Sequence, residues 1–345
     1  MTDVKDHALP TPGSGGAGHL LEVEDLHVEF RTRRGVVHAV NGISYTLDER
    51  ETLAILGESG SGKSVSAQAV MGIIDSPPGF VTQGAVRFQG RDLLQMPERE
   101  RRAIRGQRIA MVFQDALTAL NPVFSVGWQI GEPYRVHHGV SRAQARRKAV
   151  EMMERVRIPS ALQRVDDYPH QFSGGMRQRV MIAMALALDP DILIADEPTT
   201  ALDVTIQAQV MELLADLQAE TGMGLILITH DLGVVADAAD RVAVMYAGRI
   251  VETGPVRAIY HNPAHPYTHG LMGSIPRLDQ KGERLNPIKG SPPNLMRIPP
   301  GCPFHPRCPY ARAVCAEDLP PLYEVGHGQR SACHFFQEVI DEQRP

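Results

Sequence analysis

Four short, unbroken apolar stretches punctuate the chain: Leu53-Ala54-Ile55-Leu56, Ile109 to Phe113, Ile192 to Ala195 and Leu225 to Ile228. Each runs directly into polar or glycine positions, namely Gly57, Gln114, Asp196-Glu197 and Thr229-His230. Such runs fit strands buried on both faces of a parallel sheet, with helical segments between them. Ligands of open α/β sheets sit beyond the carboxyl ends of the strands, so the four polar sets are expected to converge on one site. Leu20 to Phe30, Val36 to Val40 and Ile43 to Leu47 alternate enough to predict an antiparallel flanking sheet.

Residues from about Ala116 are polar and rich in helix formers, which predicts an inserted α-helical subdomain over 116–179. After Met272 proline becomes frequent and all four cysteines follow, marking a separate small appendage with little regular structure. The expected organisation is therefore a disordered tail over 1–18, a main domain over 19–272 and a Cys/Pro-rich extension over 273–345.

Composition narrows the function by exclusion. A net charge of -5 leaves no basic footprint for nucleic acid, and the arginine-rich stretches around Arg101 and Arg146 read as solvated helix faces. No apolar run approaches the ~18 residues needed to span a bilayer. The first residues lack the apolar segment of a signal peptide. A cytoplasmic chain is expected, and any action at a membrane needs a membrane partner.

The segment Gly57-Glu58-Ser59-Gly60-Ser61-Gly62-Lys63-Ser64 satisfies G-x-x-x-x-G-K-[ST] between a strand and a helix, the setting a phosphate-binding loop requires. Its backbone N–H groups can cradle phosphates, Lys63 can neutralise β/γ oxygens and Ser64 can ligate Mg²⁺. Asp196 closes an acidic strand, where it can orient Mg²⁺ through water. Glu197 directly after it is the candidate to polarise an attacking water; the pair can also simply cap the next turn. Gln114 can link metal or water to the helical insert, and His230 can contact the γ-phosphate. Before the acidic strand stands Phe172-Ser173-Gly174-Gly175-Met176-Arg177-Gln178-Arg179. Its glycines let the backbone approach a phosphate at a helix N-terminus, and Ser173 can donate its hydroxyl; as a bare helix start, Ser173 is an N-cap.

This ordered set, with Thr200-Ala201-Leu202-Asp203 after the acidic pair, resembles the nucleotide-binding subunits of ATP-binding cassette (ABC) transporters. The resemblance implies an α/β fold: a P-loop NTPase (ABC ATPase) core with an antiparallel β subdomain, an inserted α-helical subdomain and the small C-terminal extension. It implies that Ser173, Gly174, Gly175, Met176 and Asp203 complete a site whose ATP is held by a second subunit. Phe30 takes the place of the aromatic residue that stacks on adenine, or else belongs to the core of the edge sheet.

Asp115-Ala116-Leu117-Thr118-Ala119-Leu120-Asn121-Pro122, Tyr168-Pro169-His170-Gln171-Phe172, His265-Pro266-Tyr267-Thr268 and Gly290-Ser291-Pro292-Pro293-Asn294 narrow the resemblance further. They look like the ATPase subunits of bacterial dipeptide/oligopeptide (and nickel) importers. Phe172, Met176 and Ala116 depart from the usual residues without removing a group needed for ATP chemistry. The resemblance implies an ATP hydrolase that couples dimer closure to peptide import. Its implied partners are a paralogous ATPase subunit forming a heterodimer, two integral membrane permease subunits and an extracytoplasmic substrate-binding protein. Its implied place is the cytoplasmic face of the inner membrane. Import of nickel or another small solute, and a non-hydrolysing scaffold, are the alternatives. Soluble ABC ATPases of DNA repair need long coiled coils or zinc modules for which the span from Gln114 to Ser173 leaves no room; translation-associated ones carry two cassettes.

Cys302, Cys308, Cys315 and Cys333 stand at C-x5-C-x6-C-x17-C. Four thiols confined to one tail of a cytosolic chain favour metal ligation over disulfides. Without paired C-x2-C knuckles, an iron–sulfur cluster is expected, with zinc or free thiols as alternatives. The resembled subfamily implies a [4Fe–4S] cluster here, in a structural role.

Overall fold

The computed structural model of the chain describes residues 18–200, 202–274 and 288–343. The expected disordered tail lies outside these residues but for Gly18, and so does Ala201. In chain order the strands are β1 (Leu21–Thr32), β2 (Gly35–Leu47), β3 (Thr52–Leu56), β4 (Gly79–Phe88), β5 (Arg91–Asp92), β6 (Ile109–Val112), β7 (Ile192–Asp196), β8 (Gly224–Thr229), β9 (Arg241–Tyr246), β10 (Arg249–Pro255), β11 (Tyr323–Gly326) and β12 (Gln329–Ser331).

The four apolar runs become β3, β6, β7 and β8. They lie side by side in an eight-stranded sheet of order β11-β12-β10-β9-β3-β8-β7-β6. Pairing is parallel from β9 through β3, β8 and β7 to β6. Every residue of β3, β6, β7 and β8 is buried, because both faces of these strands are covered. Alternate side chains sort into two cores. Ala110, Val112, Leu193, Ala195, Leu225 and Leu227 join the helical insert on one face, while Ile109, Met111, Ile192, Ile194, Ile226 and Ile228 pack toward the antiparallel sheet on the other.

The register is what matters for function. Leu56 pairs with Thr229, Ile228 with Asp196, and Ala195 with Val112, so the four strands end nearly level. The flanking antiparallel sheet has the order β2-β1-β4-β5. The insert is helical as expected, with helices Val126–Ile130, Glu132–His138 and Arg142–Arg155. Ser141 starts the longest of them through a capping box with Gln144. Its buried Ala149, Met152 and Met153 lock it onto the sheet core.

The described part of the extension has more regular structure than expected. β12 pairs antiparallel with β10, and the β11–β12 hairpin prolongs the main sheet. The reason is the open edge of β10, whose unpaired backbone groups β12 satisfies. Cys302, Phe304 and Cys315 of the extension share one apolar cluster with Tyr246 of β9 and Tyr267.

Under this junction lies the fully buried Glu252, which accepts from the backbone N–H of Ala264 at 2.6 Å and of His265 at 3.0 Å, and from Gln329 Nε2 at 2.7 Å. Burial pushes its carboxyl up to about 7, and burial pushes the neighbouring His265 down to about 3. Folded Glu252 keeps its proton up to about pH 7, whereas the unfolded carboxyl loses it near its ordinary 4.5, so stability from this group falls as pH rises across that window. Folded His265 stays neutral down to about 3 while the unfolded ring gains a proton near 6.5, so its contribution rises with pH. The two slopes oppose each other where they overlap. Glu252→Gln is expected to remove the falling carboxyl slope, so that urea midpoints of the variant relative to wild type rise from about pH 4.5 to 7. A pH-independent difference would contradict this.

Candidate functional site

At the carboxyl end of β3 the chain turns sharply into the loop 57–62 and then the helix Lys63–Met71. Two glycines make the turn possible. A Cβ on Gly57 (φ 156°) would lie 2.3 Å from the carbonyl oxygen of Met245, and one on Gly62 (φ 104°) 2.3 Å from that of Ala39. The loop therefore winds tightly against backbone on both sides, with its tip, Ser59 and Gly60, exposed. Lys63 is buried and folds back, donating to the carbonyls of Gly57 at 2.8 Å and Glu58 at 3.1 Å. Burial lowers its pKa, against the carboxylates of Glu197, Asp196 and Glu58, which raise it. The hydroxyl of Ser61 is buried without a partner, as suits a loop shaped to receive oxygen atoms.

Ser64 Oγ donates to Asp196 Oδ1 at 3.0 Å, bringing the two expected Mg²⁺ ligands together across 132 residues of sequence. Burial raises the Asp196 pKa, offset in part by the Ser64 bond. Next to it, Glu197 adopts φ 47°, a left-handed conformation that few carboxylate residues take. Its Oε2 accepts from Gln114 Nε2 at 2.9 Å and from Thr200 Oγ1 at 2.8 Å, and His230 Nδ1 lies 3.2 Å from Oε1. Burial works to raise the Glu197 pKa, but the bonds from Thr200 and His230, with the charge of Lys63, win and lower it. The carboxylate is therefore ionised and already oriented. Thr200, which the sequence pattern places only among the residues after the acidic pair, joins the set as a hydrogen-bond donor to Glu197.

Leu56, Gly57, Glu58, Ser59, Gln114, Glu197, His230, Leu232, Leu271 and Pro292 line one open cavity of about 690 Å³, within the range of small-ligand sites. The groups expected to converge do converge. Phe30 is half-buried against the flanking-sheet core and is not among the residues lining this cavity. The turn Ser173-Gly174-Gly175-Met176 also stands apart from it. Ser173 caps the helix Gly174–Leu186 by accepting from Met176 N–H, and both Ser173 and Gly174 are exposed. Gly175 packs so closely that a Cβ would come 2.5 Å from Ile206. Asp203, also exposed, caps the helix Val204–Thr221.

The iron–sulfur expectation is corrected. Among the described residues no group of three or more His, Cys, Asp or Glu side chains is disposed to hold a metal ion. The four cysteines are free, and the cavity they line with Phe304, Tyr310 and Phe335 measures about 10 Å³, room for roughly one water. Burial pushes the thiols of Cys302, Cys308 (to about 11) and Cys333 (to about 12) upward, which keeps them protonated at neutral pH. They pack as small apolar residues. These three thiols are expected to alkylate far more slowly in native than in unfolded protein at pH 7, read by mass spectrometry. Equal rates would contradict the burial of Cys302 and Cys333 and the half-burial of Cys308.

Comparison with known proteins agrees with this geometry. Residues 40–200 match the ABC transporter family and residues 251–315 the oligopeptide/dipeptide transporter C-terminal region. The chain is 52% identical over 325 residues to the dipeptide transport ATP-binding protein DppD of Bacillus subtilis, covering 94% of this chain and 96% of the relative. It is 54% identical over 307 residues to the oligopeptide transport ATP-binding protein OppD of the same organism, covering 89% and 86%. Among solved structures, a dimeric post-hydrolysis state of the ATP-binding cassette MJ0796 bound to ADP and Pi superimposes with TM-score 0.62 at 26% identity, over 69% of this chain and 99% of that one. Matched to the ABC transporter family over residues 40–200 and 52–54% identical to these relatives over about nine-tenths of its length, the chain belongs to the ABC transporter family, as an ATP-hydrolysing cassette that uses ATP and Mg²⁺.

Proposed function

We propose that this ATPase drives peptide uptake through separate membrane permease subunits, supplied by an extracytoplasmic substrate-binding protein. The observation that carries the reading is the 52–54% identity to dipeptide and oligopeptide transport ATP-binding proteins over about nine-tenths of the chain. Among the described residues no helix is long and apolar enough to cross a membrane, which suits a peripheral subunit on the cytoplasmic face held by its permeases. The partner cassette is a paralogous chain.

Within the site, the loop 57–62 and Lys63 bind the phosphates. Ser64 and Gln114, with Asp196 acting through water, would hold Mg²⁺, which when bound spreads the negative charge of the phosphates. Glu197 Oε2 and Oε1, fixed by Gln114, Thr200 and His230, orient the attacking water and accept its proton. His230 also reaches toward the γ-phosphate. Phe30 stacks on adenine once nucleotide is present. Ser173 to Met176 and Asp203 serve the partner's nucleotide, in keeping with the exposure of Ser173, Gly174 and Asp203 away from the chain's own cavity. Residues 19–272 act as the nucleotide-binding domain, with the helical subdomain over 116–179, and 273–345 as an extension whose strand β12 pairs with β10 of its sheet. Mild detergent extraction of the tagged chain, with mass spectrometry of what accompanies it, tests the assembly. Two permeases and a second cassette are expected; recovery with components of an unrelated machine would contradict the reading.

A further inference from the structure

Each polar group of Glu58, the second residue of the phosphate loop, is tied down. Its backbone N–H donates to the hydroxyl of Tyr267 at 2.8 Å, and its carbonyl accepts from Lys63 Nζ at 3.1 Å. Its carboxylate receives both arms of one guanidinium, Arg307 Nη1 to Oε2 at 2.7 Å and Nη2 to Oε1 at 3.0 Å. Arg307 lies 249 residues further along the chain, in the C-terminal region. Its side chain is 6% exposed.

The same guanidinium holds other parts of the fold. Nε donates to the carbonyl of Lys289 at 3.0 Å, Nη2 to that of Gly290 at 3.3 Å, and Nη1 to the hydroxyl of Tyr246 at 3.3 Å. The segment beginning there continues over the nucleotide cavity, where Pro292 forms part of the wall. It then reaches the flanking sheet, where the carbonyl of Leu295 accepts from His38 N–H at 3.0 Å. One arginine thus joins the phosphate loop, the end of β9 and a strap of the extension.

For an anionic ligand this clamp matters in two ways. A phosphate cradle works only if its N–H groups are already aimed inward, and a planar fork on Glu58 fixes the start of the loop more sharply than a point charge does. In addition, an uncompensated carboxylate beside the loop would repel phosphate, and Arg307 neutralises it. Buried ion pairs add little net stability on average, so the value of this one lies in what it positions.

We propose that Arg307 is a positioning residue for nucleotide binding, which clamps Glu58 and makes the C-terminal region part of the ATP site. The proposal rests on the ATP-binding reading of the loop. The test is ATP affinity of the full chain, by competition against a fluorescent trinitrophenyl-ATP, for wild type, Arg307→Met, Glu58→Gln and the double variant. Arg307→Met is expected to weaken ATP binding about tenfold when Glu58 is present, the scale of a charge-assisted hydrogen bond. In the Glu58→Gln background the same change should cost less than about threefold, because its partner is already gone. A merely structural role would cost the same factor in both backgrounds. Equal factors, or affinity unchanged by Arg307→Met, would overturn the proposal. Should Arg307→Met not fold, Arg307→Lys in both backgrounds answers the same question, since it keeps a charge but loses the fork. Failure of the wild-type chain to bind ATP would instead overturn the nucleotide reading, and the proposal with it.

Discussion

Glu197→Gln is expected to lower ATP hydrolysis by about 10²–10⁴-fold, the usual worth of a positioned proton acceptor, while ATP affinity stays near wild type. The carboxylate is held ionised by Thr200, His230 and Lys63 and oriented from three sides. An amide of the same shape keeps the van der Waals outline but cannot accept a proton from water. Its pre-set orientation is also why the loss should fall on turnover: the loop 57–62 and Lys63, proposed above to bind the phosphates, make no hydrogen bond to Glu197. Nucleotide affinity and phosphate release measured on the assembled transporter separate the two effects. Wild-type turnover in the variant would remove Glu197 from the chemistry.

Ser173→Arg is expected to abolish ATP-driven closure at the site whose phosphate loop belongs to the partner cassette, while this chain keeps binding its own ATP. The exposed turn can accept an arginine without disturbing the fold, because Ser173 and Gly174 meet little of the rest of the chain; a Cβ on Gly174 would find its nearest neighbour, Leu202, at 3.6 Å. The damage falls on whatever must approach the turn closely. Loss of the Ser173 cap costs about 1 kcal/mol, too little to unfold a domain. Crosslinking of photoactivatable ATP to each cassette, with dimer formation followed in parallel, tests this. Loss of binding at Lys63 with dimer closure spared would contradict a role in the partner's site.

The parallel core is legible in the sequence because the apolar runs of β3, β6, β7 and β8 are buried on both faces. Strand β9 is almost as apolar, yet it ends in the turn Ala247-Gly248 rather than in reactive groups, so chemistry at strand ends does not point to it. Strand β4 escapes because Thr82, Gln83 and Gly84 are exposed and break its alternation. At the site, Lys63, Ser64, Asp196, Glu197 and His230 are readable from motif and strand position. The clamp of Tyr267 and Arg307 on Glu58 is not, since its partners stand 209 and 249 residues along the chain and only the fold brings them to the loop. The cysteines show the opposite error. Their spacing suits ligation and apolar packing alike, and the disposition of the side chains in space, which sequence does not display, decides between them.

Uptake in proteoliposomes carrying the whole transporter tests the central claim most directly, namely that ATP hydrolysis by this chain drives peptide import. With ATP inside and a labelled peptide plus its binding protein outside, peptide accumulation and phosphate release are expected to rise together, and both to collapse when this chain carries Lys63→Met. Peptide accumulation that persists undiminished with Lys63→Met, or ATP hydrolysis that proceeds with no peptide entering, would contradict the account.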